Sequence, residues 1–147
     1  MTCDYFENIK GDAVAALRAE AAYPGSPSRT VQIGAFELSE RIGNNYGVRV
    51  RGYLVPPASG TYRFAVCVDD TCEFGLSTDE SPANLRRLVT VAKCASKSWT
   101  ERPEQMSEAC ELVAGKKYYL EAVMKQGMGQ DLLRVAWWGP VADKLTV

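Results

Sequence analysis

Two short acidic segments, far apart in the chain, carry residue types suited to holding a cation. The first is Asp69-Asp70, inside Val66-Cys67-Val68-Asp69-Asp70-Thr71-Cys72. The second is Gln126-Gly127-Met128-Gly129-Gln130-Asp131. Each follows a stretch that reads as a strand, and each places oxygen donors in a turn. Calcium is a hard cation that takes about six to eight oxygen ligands from carboxylates, backbone carbonyls and water. The carboxylates of Asp69, Asp70 and Asp131, with the glycine-rich turn, could supply a large part of that shell. Glycine in the second segment lets carbonyls converge on an ion. Coordination positions left open can be filled by hydroxyl groups of a ligand.

Other chemistries are poorly served. The 147 residues contain no histidine, which removes the commonest general base and zinc ligand. Asp79 and Glu121 are separate carboxylates that could pass for a catalytic pair. Asp79 lies among polar turn residues, and Glu121 in a strand is better read as an ion-pair partner of Arg49 or Arg51. The chain is read as a binding module, not an enzyme. With a net charge of −1 there is no electrostatic case for nucleic acid or an anionic membrane surface. No apolar run approaches the roughly 18 residues of a membrane span.

The five cysteines, Cys3, Cys67, Cys72, Cys94 and Cys110, include no Cys-x-x-Cys pair, so zinc ribbons and redox motifs are unsupported. Their polar neighbours favour disulfides over buried thiols, with Cys67, Cys72, Cys94 and Cys110 forming two bonds and Cys3 left over. That reading implies an extracellular or cell-surface setting. The pairing is not legible from sequence.

These residues must be positioned by a mostly β scaffold. Residues 12–22 read as one short helix with Asp12 as N-cap, ended by Tyr23-Pro24-Gly25-Ser26-Pro27. Beyond residue 30 the punctuation is all-β. Val31 to Phe36 alternates, and Gly43-Asn44-Asn45-Tyr46-Gly47 is a turn. In Val48 to Val55, Val48, Val50, Gly52 and Leu54 share one face, with Arg49, Arg51 and Tyr53 on the other. Thr61 to Val68 sets Tyr62, Phe64, Val66 and Val68 together. Shorter strands follow over 73–77 and 85–91. Residues 93–108 read as a long surface loop, and 116–124 and 131–138 as two clear strands. Trp137 and Trp138 must face opposite sides of their strand. Short strands at regular spacing with Gly/Pro turns indicate an antiparallel sandwich or barrel.

Several ordered motifs make the chain resemble the PA14 domain family. They are Pro56-Pro57-Ala58-Ser59-Gly60-Thr61-Tyr62-Arg63-Phe64, Asp69-Asp70, Leu76-Ser77-Thr78-Asp79, Ala114-Gly115-Lys116-Lys117-Tyr118-Tyr119-Leu120-Glu121-Ala122, and Val135-Ala136-Trp137-Trp138-Gly139-Pro140. Leu17, Tyr23-Pro24, Pro27 and Asn45 to Gly52 extend the match to nearly the whole chain. The resemblance implies an all-β, PA14-type antiparallel β-sandwich or barrel with one short N-terminal helix. It implies a single domain over 1–147, excised from a longer, multidomain secreted or surface protein. In carbohydrate-binding members the consecutive Asp pair, joined by a cis peptide, holds calcium, and the glycine-rich loop before the last strand completes the shell. The implied function is calcium-dependent gripping of neighbouring sugar hydroxyls. Asp69, Asp70, Gln126, Gly127, Gly129 and Asp131 would hold the ion. Asp69, Asp70, Gln126, Gly127, Met128 and Gln130 would border the glycan. The alternatives are a structural or protein-interaction domain with calcium as a loop staple, and an accessory domain of a glycoside-active enzyme.

Overall fold

A computed structural model of the chain describes residues 1–38, 42–93 and 95–146, with no side-chain detail over 142–146. In chain order the elements are β1 (Thr2–Phe6), α1 (Val14–Arg18), β2 (Arg29–Gln32), β3 (Glu37–Leu38), β4 (Tyr46–Leu54), β5 (Gly60–Asp69), β6 (Thr71–Ser77), β7 (Leu85–Val91), β8 (Cys110–Leu112), β9 (Tyr118–Gln126), β10 (Leu132–Gly139) and β11 (Ala142–Thr146). One sheet has the order β2-β1-β4-β9-β6-β7, and the other β11-β10-β5-β8, with β3 also on β10. The strand pairs are antiparallel. This is the expected β-sandwich with one short helix.

Alternation fills the space between the sheets. Val48 and Val50 of β4, Tyr62, Phe64, Val66 and Val68 of β5, and Leu120, Ala122 and Met124 of β9 form one cluster with Phe74, Leu76 and Val135. Of the two neighbouring tryptophans, Trp137 packs against this core, 5.3 Å from the Tyr62 ring. Strand β9 is buried along its whole length. Its outer face is covered partly by a second cluster, in which Val123 meets Phe6, Ile9, Val14 and Leu17. The Arg49 guanidinium covers more of that face, pairing with Glu121 at 2.7 Å. Arg51 instead pairs with Asp4 at 2.8 Å.

Several elements differ from the sequence reading. The helix is confined to Val14–Arg18, because only Val14 and Leu17 find a buried surface, while residues 18–22 are exposed. Short helices depend on packing rather than propensity. Asp12 does not cap it. Ala13 is the N-cap, with no side-chain hydrogen bond. Residues 2–6, 110–112 and 142–146 form strands that alternation did not reveal. Residues 95–107 run along the edge of β5 that β8 leaves open, through bridges at Ala65–Met106 and Val68–Ala95. Gln105 anchors them, fully buried, with Nε2 donating to the carbonyls of Val66 (2.9 Å) and Ser98 (2.7 Å).

The disulfide expectation is corrected. Cys3, Cys67, Cys72 and Cys110 are free thiols, and Cys94 lies outside the described residues. Cys67 and Cys72 cannot meet across their turn. Cys72 points into the core between the sheets, whereas Cys67 lies on the outer face of β5 beside Gln105. Burial pushes the thiols of Cys3 and Cys67 up to about 11, and raises Cys72 and Cys110 as well. Burial likewise pushes the phenols of Tyr5 and Tyr119 up to about 12.

An acid raised in the folded state contributes stability that is intact below its unfolded value and is lost as pH climbs through the folded one. The unfolded values are about 8.5 for a thiol and about 10 for tyrosine. Lys125, lowered by burial, acts in the opposite sense but is a single group. Urea unfolding midpoints should therefore decline steadily from about pH 9 upward. A midpoint constant to pH 11 would contradict this account of the buried thiols and phenols.

Candidate functional site

The topology explains why two remote acidic segments meet. β5 belongs to one sheet and β6 to the other, so Asp69-Asp70 is a crossing between sheets. β9 and β10 are divided in the same way, so residues 127–131 make a second crossing. Asp69 pairs with Leu132, and Thr71 with Lys125, which fixes both crossings at one end of the sandwich. The start of β4 joins them there, because Tyr46 pairs with Gln126. The end of β1 arrives at the same place, with Phe6 opposite Gly47.

The two crossings touch directly. Gly127 N donates to Asp70 Oδ2 at 2.7 Å. Asp69 and Asp70 are half-buried, and the peptide bond between them is cis. The Gly127 carbonyl accepts from Asn45 N at 2.6 Å, and Gly129 N donates to Asn44 Oδ1 at 3.1 Å. Gly129 has φ +109°, a conformation that favours glycine. Met128, 74% exposed, stands at the tip with Gln130 also exposed. The Gln130 carbonyl accepts from Gln126 Nε2 at 2.8 Å.

Asp131 is buried at the foot of the loop. Its Oδ2 accepts from Ile42 N (2.7 Å), Gly43 N (3.2 Å) and the Tyr46 hydroxyl (2.9 Å). Burial first, and this carboxylate second, raise the Tyr46 phenol far above its ordinary value. Among the described residues Asp131 Oδ1 has no donor, and neither does Gln126 Oε1 on a fully buried side chain. Two orphaned acceptors in one small region are unusual, since buried polar atoms are nearly always paired.

Lys125 is the least expected member. Its side chain is fully buried, and Nζ donates to the carbonyls of Gly11 and Gln126, both at 2.6 Å. Burial lowers its pKa, while Asp70 and Asp12 act to raise it. Alternation places Lys125 on the outer face of β9, an ordinary position for a solvated lysine, so nothing in the local pattern marks it. Asn44 and Asn45 were legible only as turn residues.

These oxygens are of the kind a hard cation takes. Among the described residues no three His, Cys, Asp or Glu side chains gather into a group fit for a metal ion. Asp131 commits one oxygen to the β4 turn, and the Gln126 carbonyl serves Lys125. The donor set is therefore mixed: the aspartate pair, an amide oxygen, the spare oxygen of Asp131 and loop carbonyls. The orphaned Gln126 Oε1 and Asp131 Oδ1 are acceptors of the kind such an ion would satisfy.

The family model for the PA14 domain matches residues 37–146. The chain belongs to the PA14 domain family. A mouse (Mus musculus) relative, N-acetyl-beta-glucosaminyl-glycoprotein 4-beta-N-acetylgalactosaminyltransferase 1, is 35% identical over 139 residues, covering 90% of this chain. The match spans 13% of that protein's length. The PA14 domain of the antifreeze protein MpAFP superposes with a TM-score of 0.71 at 13% identity, covering 99% of this chain and 85% of that one. The Epithelial Adhesin 9 A domain from Candida glabrata, in complex with Galb1-4GlcNAc, gives 0.69 at 12% identity, covering 99% and 84%. At these identities the structural likeness is one of fold. Among the described residues no helix of this PA14 domain is long and apolar enough to cross a membrane.

The site has little room at Gly127. A Cβ there would lie 3.2 Å from Asp70 Oδ2 and 3.4 Å from Asp12 Cβ. Gly127→Ala must push the loop away from Asp70 and weaken their hydrogen bond. It should lower unfolding free energy by about 1–3 kcal/mol, read from urea denaturation. An unchanged midpoint would mean that the two crossings are not held this tightly.

Proposed function

We propose that this PA14 domain is a calcium-dependent carbohydrate-binding module. One observation carries the reading: Asp69-Asp70 meets the 126–131 loop at one end of the sandwich, where two buried acceptor oxygens lack donors. Asp69, Asp70, Gln126, Gly127, Gly129 and Asp131 are the residues that would hold the ion. Calcium bound there would neutralise the carboxylates and offer open positions to two neighbouring sugar hydroxyls. The Gly127 hydrogen bond keeps Asp70 turned toward the loop. Met128 and Gln130, exposed at the tip, would flank the glycan with Asp69, Asp70, Gln126 and Gly127, Met128 giving an apolar contact.

Two relatives support the ligand class. The adhesin domain was solved with Galb1-4GlcNAc, and the mouse transferase is named for a glycoprotein acceptor ending in N-acetyl-beta-glucosamine. This domain would work as one module of a longer extracellular or cell-surface protein. The transferase likeness favours a second context, an accessory domain that holds glycan beside a glycoside-active domain. Gripping a sugar serves both settings. No catalysis is assigned to the domain itself. Glu121 is occupied by Arg49 and Tyr119, and Asp79 by Ser81 and Asn84 in its own turn.

Calcium titration calorimetry should give a dissociation constant of about 10⁻⁶–10⁻³ M for the unaltered domain, and no heat for Asp70→Ala. Calcium at a hundredfold excess over that constant should stabilise the fold by about 2.7 kcal/mol. Glycan-array signal should vanish with chelator and in Asp69→Asn. Calcium binding undiminished in Asp70→Ala would remove the metal assignment. Signal that survives chelation would remove the calcium-mediated mechanism.

A further inference from the structure

The N-terminal segment preceding α1 closes on the same site, although the PA14 family match begins only at residue 37. Three contacts fix it there. Lys125 Nζ donates to the Gly11 carbonyl at 2.6 Å. The Thr71 hydroxyl donates to the Asp12 carbonyl. The Asp12 Cβ and Gly11 carbonyl lie 3.4 and 3.6 Å from where a side chain would begin at Gly127, with Asp70 Oδ2 at 3.2 Å. Gly11–Asp12, Asp70–Thr71 and Lys125–Gly127 are thus three walls around one junction.

Asp12 differs from the residues that hold it. Its backbone is tied down, yet the residue is exposed. Its carboxylate does not cap α1, and it acts on the fold through its charge, which favours the buried Lys125 ammonium. With its backbone held and its Cβ beside Gly127, Asp12 brings its negative charge to the rim of the proposed ligand site. It can accept hydrogen bonds from a sugar's hydroxyls, and it repels carboxylate, sulfate or phosphate carried by a glycan.

We propose that Asp12 is a specificity-determining residue that selects neutral over acidic glycans, on a third wall of the site held in place by Lys125. This rests on the glycan reading of the same site. The selection is electrostatic, and saturating calcium separates it from any change in calcium affinity. It weakens as salt screens the rim charge.

The test uses the whole domain at saturating calcium, so that differences in calcium affinity drop out. The probes are Galb1-4GlcNAc and its sialylated and sulfated forms, with a wider panel of neutral and acidic glycans. Asp12→Asn keeps the shape and removes the charge. Its preference for neutral over acidic probes should narrow by about tenfold, equivalent to about 1.4 kcal/mol. Glu80→Gln makes the same charge change on an exposed residue beyond the far end of β6, and should leave the preference in place. A preference unchanged in Asp12→Asn, with calcium-dependent binding intact, overturns the role of Asp12 and leaves the glycan reading standing. An equal narrowing in Glu80→Gln overturns it also, by showing a general charge effect. An unaltered domain that binds no probe overturns both readings.

Discussion

The hydrogen bond from Gly127 N to Asp70 Oδ2 joins two places where the chain changes sheets, and that end of the sandwich is organised around it. A sandwich must let its strands pass from one layer to the other, and each passage leaves backbone without ladder partners. Here two passages lie side by side, and each satisfies part of the other. The remaining demand is met by side chains from neighbouring turns: Asn44 for Gly129 N, and Gln126 for the Gln130 carbonyl. A surplus of acceptors remains in Gln126 Oε1 and Asp131 Oδ1. Oxygen-rich turns are a natural product of such crossings, and the cation proposed for this end would draw on them.

The buried ammonium of Lys125 has a different physical basis. A lysine fully removed from water is costly unless hydrogen-bonded. Two carbonyls receive it, and the carboxylates of Asp70 and Asp12 supply favourable charge nearby. The arrangement draws the N-terminal segment onto β9. There Val14 and Leu17 of the short helix bury Val123 beside it. Position 125 therefore links the helix, the outer face of the large sheet and the acidic turns.

Much of this was legible from residue pattern, and the misses share a cause. Val48–Val50 and Tyr62–Val68 announced their inward faces by strict alternation. The aspartate pair and the glycine loop announced themselves by composition. β1 did not, because Asp4 on its outer face is buried by Arg51 and Thr30, so Cys3-Asp4-Tyr5-Phe6 shows no clean polar side. The expected surface loop over 93–108 is held in part by polar groups, the Gln105 amide and the Ser107 hydroxyl, which give no apolar signal of burial. The helix was overestimated because alanine propensity carries no information about whether a surface waits for it. The disulfide reading failed at Cys67 and Cys72, where polar neighbours in sequence are not neighbours in space: the strand turns one thiol inward and the other outward. Lys125, Asn44 and Asp12 gained their positions from tertiary convergence, which no local pattern encodes.

The order of the large sheet leaves β2 and β7 at its two margins. An uncovered strand invites pairing with another chain unless something discourages it. β7 carries Arg86 and Arg87, both exposed, and β2 begins with exposed Arg29. In the smaller sheet β8 is only three residues long. Two copies approaching margin to margin along the large sheet would have to desolvate these charges, including the Arg87–Glu73 and Arg29–Glu7 pairs, before any ladder could form. The domain is thereby protected against lateral fusion into an extended sheet, so crowding many copies together need not obstruct the ends of the sandwich where the acidic turns lie.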